Sequence, residues 1–276
     1  MAEPRAPRDS LTEILEIESR GDAAYAARLE SFWGATAPGD LLGRAMLVAA
    51  ADGREPPAAV HATFLADAPP EVELSLIRED LGPDQSRVRV LGPEKELICD
   101  VTLRFGPVGE GLTYQCIAPE SGLPDPEELP SEVELARAEG WSQFAVGPIE
   151  SRRIGQQDPV KDDEPAVWIG WLRPREALPD QARLHAAALA FLAEYRSHWA
   201  VERRLGASFP QSRVTLLDHA LWVHRAERWD DWWLVKTLTD VGVAGRCFSR
   251  REIYTRGGVL VASAAWEASV RPRDAA

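Results

Sequence analysis

One feature constrains this chain more than any other: the same order of elements is written twice. The stretch GDLLGRAMLVAAADG, residues 39–53, has the Ala- and Leu-rich spacing of a buried helix closed by Gly53, and its small residues Gly43, Ala45 and Ala49 admit a closely packed neighbour. Four strand-like runs follow at 58–66, 71–79, 86–92 and 95–106. The second and third alternate apolar with polar residues, as a half-buried antiparallel strand must. The order then recurs. Residues 181–206 predict one long helix with an apolar stripe of Leu184, Ala188, Phe191, Leu192, Tyr195 and Trp199, ending at Gly206, and strand-like runs come after it at 213–225, 232–239, 244–256 and 259–270. Letters repeat along with the order: HATFL at 61–65 follows the first helix as HALWV at 219–223 follows the second, about 160 residues later. Such a repeat predicts an α+β chain of two similar helix-plus-meander units, paired sheet to sheet. The boundaries fall at 1–106 for the first unit, 107–140 for a linker rich in Pro, Glu and Gly, and 141–276 for the second. Near the start, Ser10 with Glu13 three positions on predicts the cap of a short additional helix.

Charge narrows the partners. Forty-four acidic residues against thirty-one basic ones leave a formal charge of −13, which repels nucleic acid and anionic lipid surfaces. An anionic ligand held by a local basic patch, such as coenzyme A, remains compatible with that balance. The opening MAEPRAPRDS lacks the apolar core of a secretion signal, and no run reaches the length of a membrane span, so the expected setting is cytoplasmic. Cys99, Cys116 and Cys247 are odd in number, far apart and without CxxC spacing; they predict neither a disulfide framework nor a metal site, and read as small buried apolar residues. No GxGxxG, P-loop, HExxH or GxSxG is present, so no cofactor is expected.

What could carry chemistry is a scatter of polar residues in apolar surroundings. On a continuous 181–206 helix, Glu194 lies at the flank of the buried stripe with His198 one turn later, a base with an orienting partner or a solvated pair. In VTLLDHALWVH, 214–224, period two puts Leu216 and Asp218 on one face and Thr215 and His219 on the other. Polar groups inside such a strand are unfavourable unless hydrogen bonded, so Asp218 and His219 mark a site or a satisfied structural network. His61 stands at the corresponding place in the first half and reads as structural. Trp229, Trp232 and Trp233 read as packing.

The letters then meet a known family. LLDHALWVHR, DDWWLV and GGVLVASAAWE in the second half, with GDLLGRAMLVAAADG and VHATFL in the first, resemble the acyl-CoA thioesterase II family, the double-hotdog thioesterases. The resemblance implies two hotdog units in one chain, each a long helix wrapped by an antiparallel sheet, and further assembly into a homo-oligomer. It implies hydrolysis of acyl-CoA by a water held between an Asp on the second long helix, a Thr or Ser on the next strand and a Gln on the last strand. The Asp position falls on Glu194, the hydroxyl position on Leu216 and the amide position on Trp266. Two polar groups that hold water are thus replaced by apolar bulk. Three outcomes stay open: hydrolysis with Glu194 helped by Thr215, Ser263 or His219; a reaction without water (isomerisation, cyclisation or dehydration) with Glu194 as acid or base; or a silent acyl-binding module. Candidate catalytic residues are Glu194, Thr215, Asp218 and His219, with Leu216, Trp266, His61 and His198 as candidate substrate contacts and no metal ligands. The expected partner is a small-molecule acyl thioester or a related acyl or polyketide-type ligand, with no nucleic acid and no membrane.

Overall fold

The computed structural model describes residues 10–28, 38–68, 72–106, 111–138, 147–155, 160–161, 164–206 and 211–272. A short helix α1 (Leu11–Ile14) and a hairpin of β1 (Glu18–Gly21) and β2 (Ala24–Arg28) precede α2 (Pro38–Ala49), and then come β3 (Ala59–Phe64), β4 (Glu73–Gly82), β5 (Gln85–Leu91) and β6 (Leu97–Arg104). Helix α3 (Glu132–Ala138) lies in the stretch between the halves. The second half runs β7 (Ile149–Ile154), β8 (Ala166–Pro174), α4 (Ala182–Glu194), α5 (Trp199–Leu205), β9 (Ser212–Leu216), β10 (Asp218–Val223), β11 (Trp233–Val243), β12 (Arg246–Thr255) and β13 (Leu260–Pro272). All thirteen strands form one antiparallel sheet in the order β1-β2-β4-β5-β6-β3-β10-β13-β12-β11-β8-β7, with β9 also on β13.

Small residues bring α2 and α4 together on the inner face of that sheet. A Cβ at Gly39 would stand 2.9 Å from the Phe191 carbonyl oxygen, and one at Gly43 2.9 Å from that of Ala187, so the two helices run antiparallel with their backbones nearly touching. One continuous core holds both helices and the inward side chains of both halves, from Leu74 and Val88 to Val235 and Trp266. The halves join along β3 and β10, where His61 faces Ala220 and Ala62 faces His219. Opposed residues share a face, so His61 points outward with Ala220 while His219 points inward with Ala62. The two histidines that match by letter therefore do not match in space: a slip of one residue between the repeats reverses the side chain.

Several expectations are corrected here. The helix expected over 181–206 is two helices, because Arg196 adopts a left-handed backbone (φ 52°) and the chain turns between Tyr195 and His198. The run 213–225 is two strands broken at Leu217. Four residue steps from Leu216 to Ala220 face three steps from Ala268 to Ala265 on β13, which is a β-bulge. It places Leu216 and His219, rather than Leu216 and Asp218, on the inner face. The hairpin β1–β2 and the strands β7 and β8 were not among the expected strands, although β8 is a nearly continuous apolar run, AVWIGWL at 166–172. Ser10 makes no side-chain cap. The capping box that does form is Ser131 with Glu134 at α3, where the Ser131 backbone N–H donates to Glu134 Oε2 at 2.7 Å and the Glu134 N–H to Ser131 Oγ at 3.2 Å. Cys99 and Cys247 are buried, but Cys116 is exposed.

Residues 111–138 are held down along the outer face of the second half. Leu123 and Leu129 cover a second apolar cluster of Trp171, Trp232, Leu234 and Tyr254. The Trp171 indole N–H donates to the Pro124 carbonyl at 3.0 Å, Gln115 takes the Leu260 N–H at 2.8 Å, and Glu120 pairs with Lys236. Trp229 and Trp233 stack in the main core, their ring centroids 5.4 Å apart. Among the described residues, no helix is long and apolar enough to cross a membrane.

Candidate active site

Helix α4 ends at a buried carboxylate. Glu194 is its last residue, and both of its oxygens are engaged: Oε2 accepts the Gly39 backbone N–H at 3.0 Å and Oε1 accepts the Ser197 hydroxyl at 2.7 Å. Burial pushes its pKa up to about 7; the Ser197 bond, the charge of Arg251 and the Gly39 N–H all pull the other way and lose. The group therefore sits where it can exchange a proton at neutral pH.

Arg251 organises the surroundings. It rises from the inner face of β12 and is 1% exposed. Its Nη1 donates to the carbonyls of Leu192 (2.7 Å), Ala193 (3.1 Å) and Tyr195 (3.0 Å), and its Nε to Thr237 Oγ1 (2.9 Å). The turn at 195–198 leaves these carbonyls without the N–H partners of a continuing helix, and a cation supplies the bonds while opposing the negative end of the helix dipole. Burial pushes the guanidinium down to about 10, still charged at neutral pH.

Trp266 packs against both Arg251 and His219. The Arg251 guanidinium carbon stands 5.3 Å from the Trp266 ring centroid, and the His219 ring is nearly parallel to the indole at 5.7 Å. His219 is 1% exposed, and burial holds it down at about 3, so its ring is neutral. Its Nε2 lies 3.3 Å from the Ala193 carbonyl, which can only accept, so that nitrogen carries the hydrogen. Nδ1 is left as a buried lone pair with no partner among the described residues. Leu216 is buried on the same inner face, opposite Ala268 and next to the Trp266 row. Glu194, His219 and Trp266 thus meet around Arg251, and Leu216 lies on the same inner face of the sheet further along.

The other candidates lie elsewhere. Thr215 faces away, opposite Ser269. Asp218 is exposed and accepts the Glu267 backbone N–H at 2.9 Å, a structural bond at the bulge. Ser263 is on the outer face, bonded to His224 at 2.9 Å. His61 is exposed against the edge of Trp222 (5.6 Å, 82°), in a shallow outer groove with Thr63, Thr102 and Glu267. His198 belongs to the turn before α5 rather than to the helix of Glu194, and burial with the nearby charges of Arg196 and Arg251 lowers it to about 4. The bulge turns Asp218 outward, and the helix break separates His198 from the helix of Glu194.

Sequence patterns missed Ser197, Arg251 and Asp40. Asp40 is 1% exposed in the first turn of α2, beside the N–H that binds Glu194. Burial pushes it up to about 7; Arg44 opposes this and Glu194 adds to it. A charged pair, Asp40 and Arg44, inside an otherwise apolar helix was the available signal. Among the described residues, no three side chains are placed to hold a metal ion.

Two helix-on-sheet units in one chain, joined strand to strand with a buried carboxylate where their helices meet, define a double-hotdog protein. Residues 121–270 match the family model of the acyl-CoA thioesterase C-terminal domain, and the chain belongs to that family. It is 23% identical over 224 residues to acyl-CoA thioesterase 2 of Haemophilus influenzae, covering 76% of this chain and 78% of that protein. Its fold is similar to that of acyl-CoA thioesterase II TesB2 from Mycobacterium marinum, with TM-score 0.78 and 24% identity over 96% of this chain and 99% of the other. A hot dog fold protein of unknown function from Alicyclobacillus acidocaldarius has TM-score 0.75 at 14% identity, covering 94% and 97%.

Proposed function

We propose that the protein hydrolyses acyl thioesters, with Glu194 as the base that takes a proton from the attacking water. The observation that carries this is the buried carboxylate at the end of α4, pushed to about 7 and bonded to a hydroxyl at 2.7 Å. Ser197 supplies from the helix turn the hydroxyl that Leu216 no longer supplies from the strand. The His219 Nδ1 lone pair offers a second acceptor for a water hydrogen on the side where Trp266 replaces an amide. Water attacks the thioester carbonyl, Glu194 takes its proton, and the positive end of α2 at Gly39 favours negative charge on the carbonyl oxygen.

Free-thiol release from a panel of acyl-CoA and acyl N-acetylcysteamine thioesters tests this. Glu194→Gln is expected to lower the rate at least about 10²-fold; wild-type protein that releases no thiol at any chain length removes the reading. The double variant Leu216→Thr with Trp266→Gln is expected to gain rate, up to about 10²-fold, and no gain counts against those two positions as the water-holding ones. A second reading rests on the buried apolar side chains Leu216 and Trp266 at positions where the resemblance expects polar groups: a drier site suits isomerisation, cyclisation or dehydration of an acyl ligand. That reading requires a changed acyl product without thiol release, again lost in Glu194→Gln.

A further inference from the structure

Asp40 is a buried carboxyl that the reading above leaves unused. It stands in the first half of the chain, one residue from the Gly39 N–H that holds Glu194 Oε2, and a Cβ at Gly39 would itself lie 3.2 Å from that oxygen. The first turn of α2 and the last residue of α4 are therefore in contact, each bearing one carboxyl. Asp40 Oδ1 is buried with no hydrogen-bond partner among the described residues. The Arg44 guanidinium one turn along points its Nη2 at the carbonyls of Ile14 and Arg28, at 2.5 Å and 2.7 Å. A buried carboxyl so placed, beside a second carboxyl, is most stable with its proton on. Glu194 adds to the rise in Asp40, so the two carboxyls are linked electrostatically as well as by contact of their helices.

We propose that Asp40 and Glu194 form one acid–base pair across the junction of the two halves, with Asp40 as the acid that protonates the departing sulfur. The assignment rests on the hydrolase reading of the site and gives it a second catalytic residue. Water forms a bond to the acyl carbon and loses a proton to the Glu194 carboxylate. The carbon–sulfur bond breaks, and the sulfur takes the proton of Asp40. Glu194 then returns its proton to Asp40, so the net change is thioester plus water to acid plus thiol. Charged and titratable groups around the pair are Arg44 from α2, Arg251 from β12, His219 from β10 and His198 from the turn after α4. The last two are held neutral by burial.

The test varies the leaving group. An alkyl thiol such as that of coenzyme A leaves with difficulty as an anion, whereas thiophenol leaves without a proton. Asp40→Asn is expected to slow hydrolysis of the acyl-CoA about 10²-fold, and to leave the phenyl thioester of the same acyl group close to the wild-type rate, with Asp40→Glu recovering part of the loss. Equal loss on both substrates, or loss on neither, overturns the assignment. If wild-type protein hydrolyses neither thioester, the hydrolase reading falls, and carbon-13 NMR titration of the side-chain carboxyls judges the pair by itself. Asp40→Asn must then lower the titration midpoint of Glu194, and Glu194→Gln that of Asp40; midpoints that ignore the partner's removal overturn the pair.

Discussion

Burial raises the pKa of Glu194, which makes stability, and the proposed hydrolysis with it, depend on pH. As the proposed base it must be ionised, so kcat/KM is expected to fall as pH drops through about 7, the value to which burial raises it. For stability, Glu194 and Asp40 hold protons more tightly folded than unfolded. Each contributes stability that is complete below its unfolded value, 4.5 or 3.8, and is lost as pH rises through about 7. His219 and His198, lowered to about 3 and 4, act in the opposite sense: their stability is present above 6.5 and lost as pH falls through those values. Between pH 6.5 and about 7 only the carboxyls still differ in protonation between the folded and unfolded chains among these four, so the unfolding free energy declines across that window and levels off above it. Urea denaturation across that range is expected to show the decline, and to show it reduced in Glu194→Gln; an unchanged slope would mean Glu194 is ionised well below neutrality. At this scale the sequence pointed to Glu194 beside a buried helical stripe and, by resemblance, to Leu216 and Trp266, and all three are buried. Asp218 and His219 exchanged faces because a single extra residue at Leu217 reverses the parity on which they were counted, while Thr215 faces away from Leu216 as period two placed it.

At the scale of elements, the end of α4 is a joint made by β12. Arg251 bonds three carbonyls that the helix break leaves open. Arg251→Met is expected to destabilise the protein by about 3–5 kcal/mol, since those carbonyls and the Glu194 carboxylate would remain buried without the cation; equilibrium unfolding in urea measures it, and a loss below about 1 kcal/mol would show that water or another group takes over the cap. Gly39→Ala acts on the other side of the same joint. Its Cβ would press 2.9 Å from the Phe191 carbonyl, so α2 and α4 must separate at a cost of about 1–3 kcal/mol. Activity is expected to fall by more than that stability loss explains, because the Gly39 N–H moves away from Glu194; activity retained in the folded variant would remove Gly39 from the site. Helical periodicity revealed both helices but not the break between α4 and α5. Nothing local marks Arg196 for a left-handed backbone, and the residue that makes the turn favourable lies some fifty positions downstream on another strand.

Across the whole molecule, the halves share one sheet and one core, with α2 packed on α4 and β3 paired to β10. Unfolding is therefore expected as a single cooperative transition, with far-UV circular dichroism and tryptophan fluorescence coincident in urea; two separated transitions would mean that the halves are independent bodies. The segment 111–138 adds its own ties to the second half through Trp171, Lys236 and Arg256. By itself the sequence determined the helix-plus-meander repeat, the acidic character of the chain and the carboxylate at 194, because apolar period, turn residues and charge are properties of neighbouring residues. Tertiary structure alone decided that Glu194 meets Gly39 and Asp40, that Arg251 caps its helix, and that the matching histidines point to opposite sides. Those outcomes depend on bulges, helix contacts and buried charges between residues far apart in the chain, where one step of register changes which groups share a space.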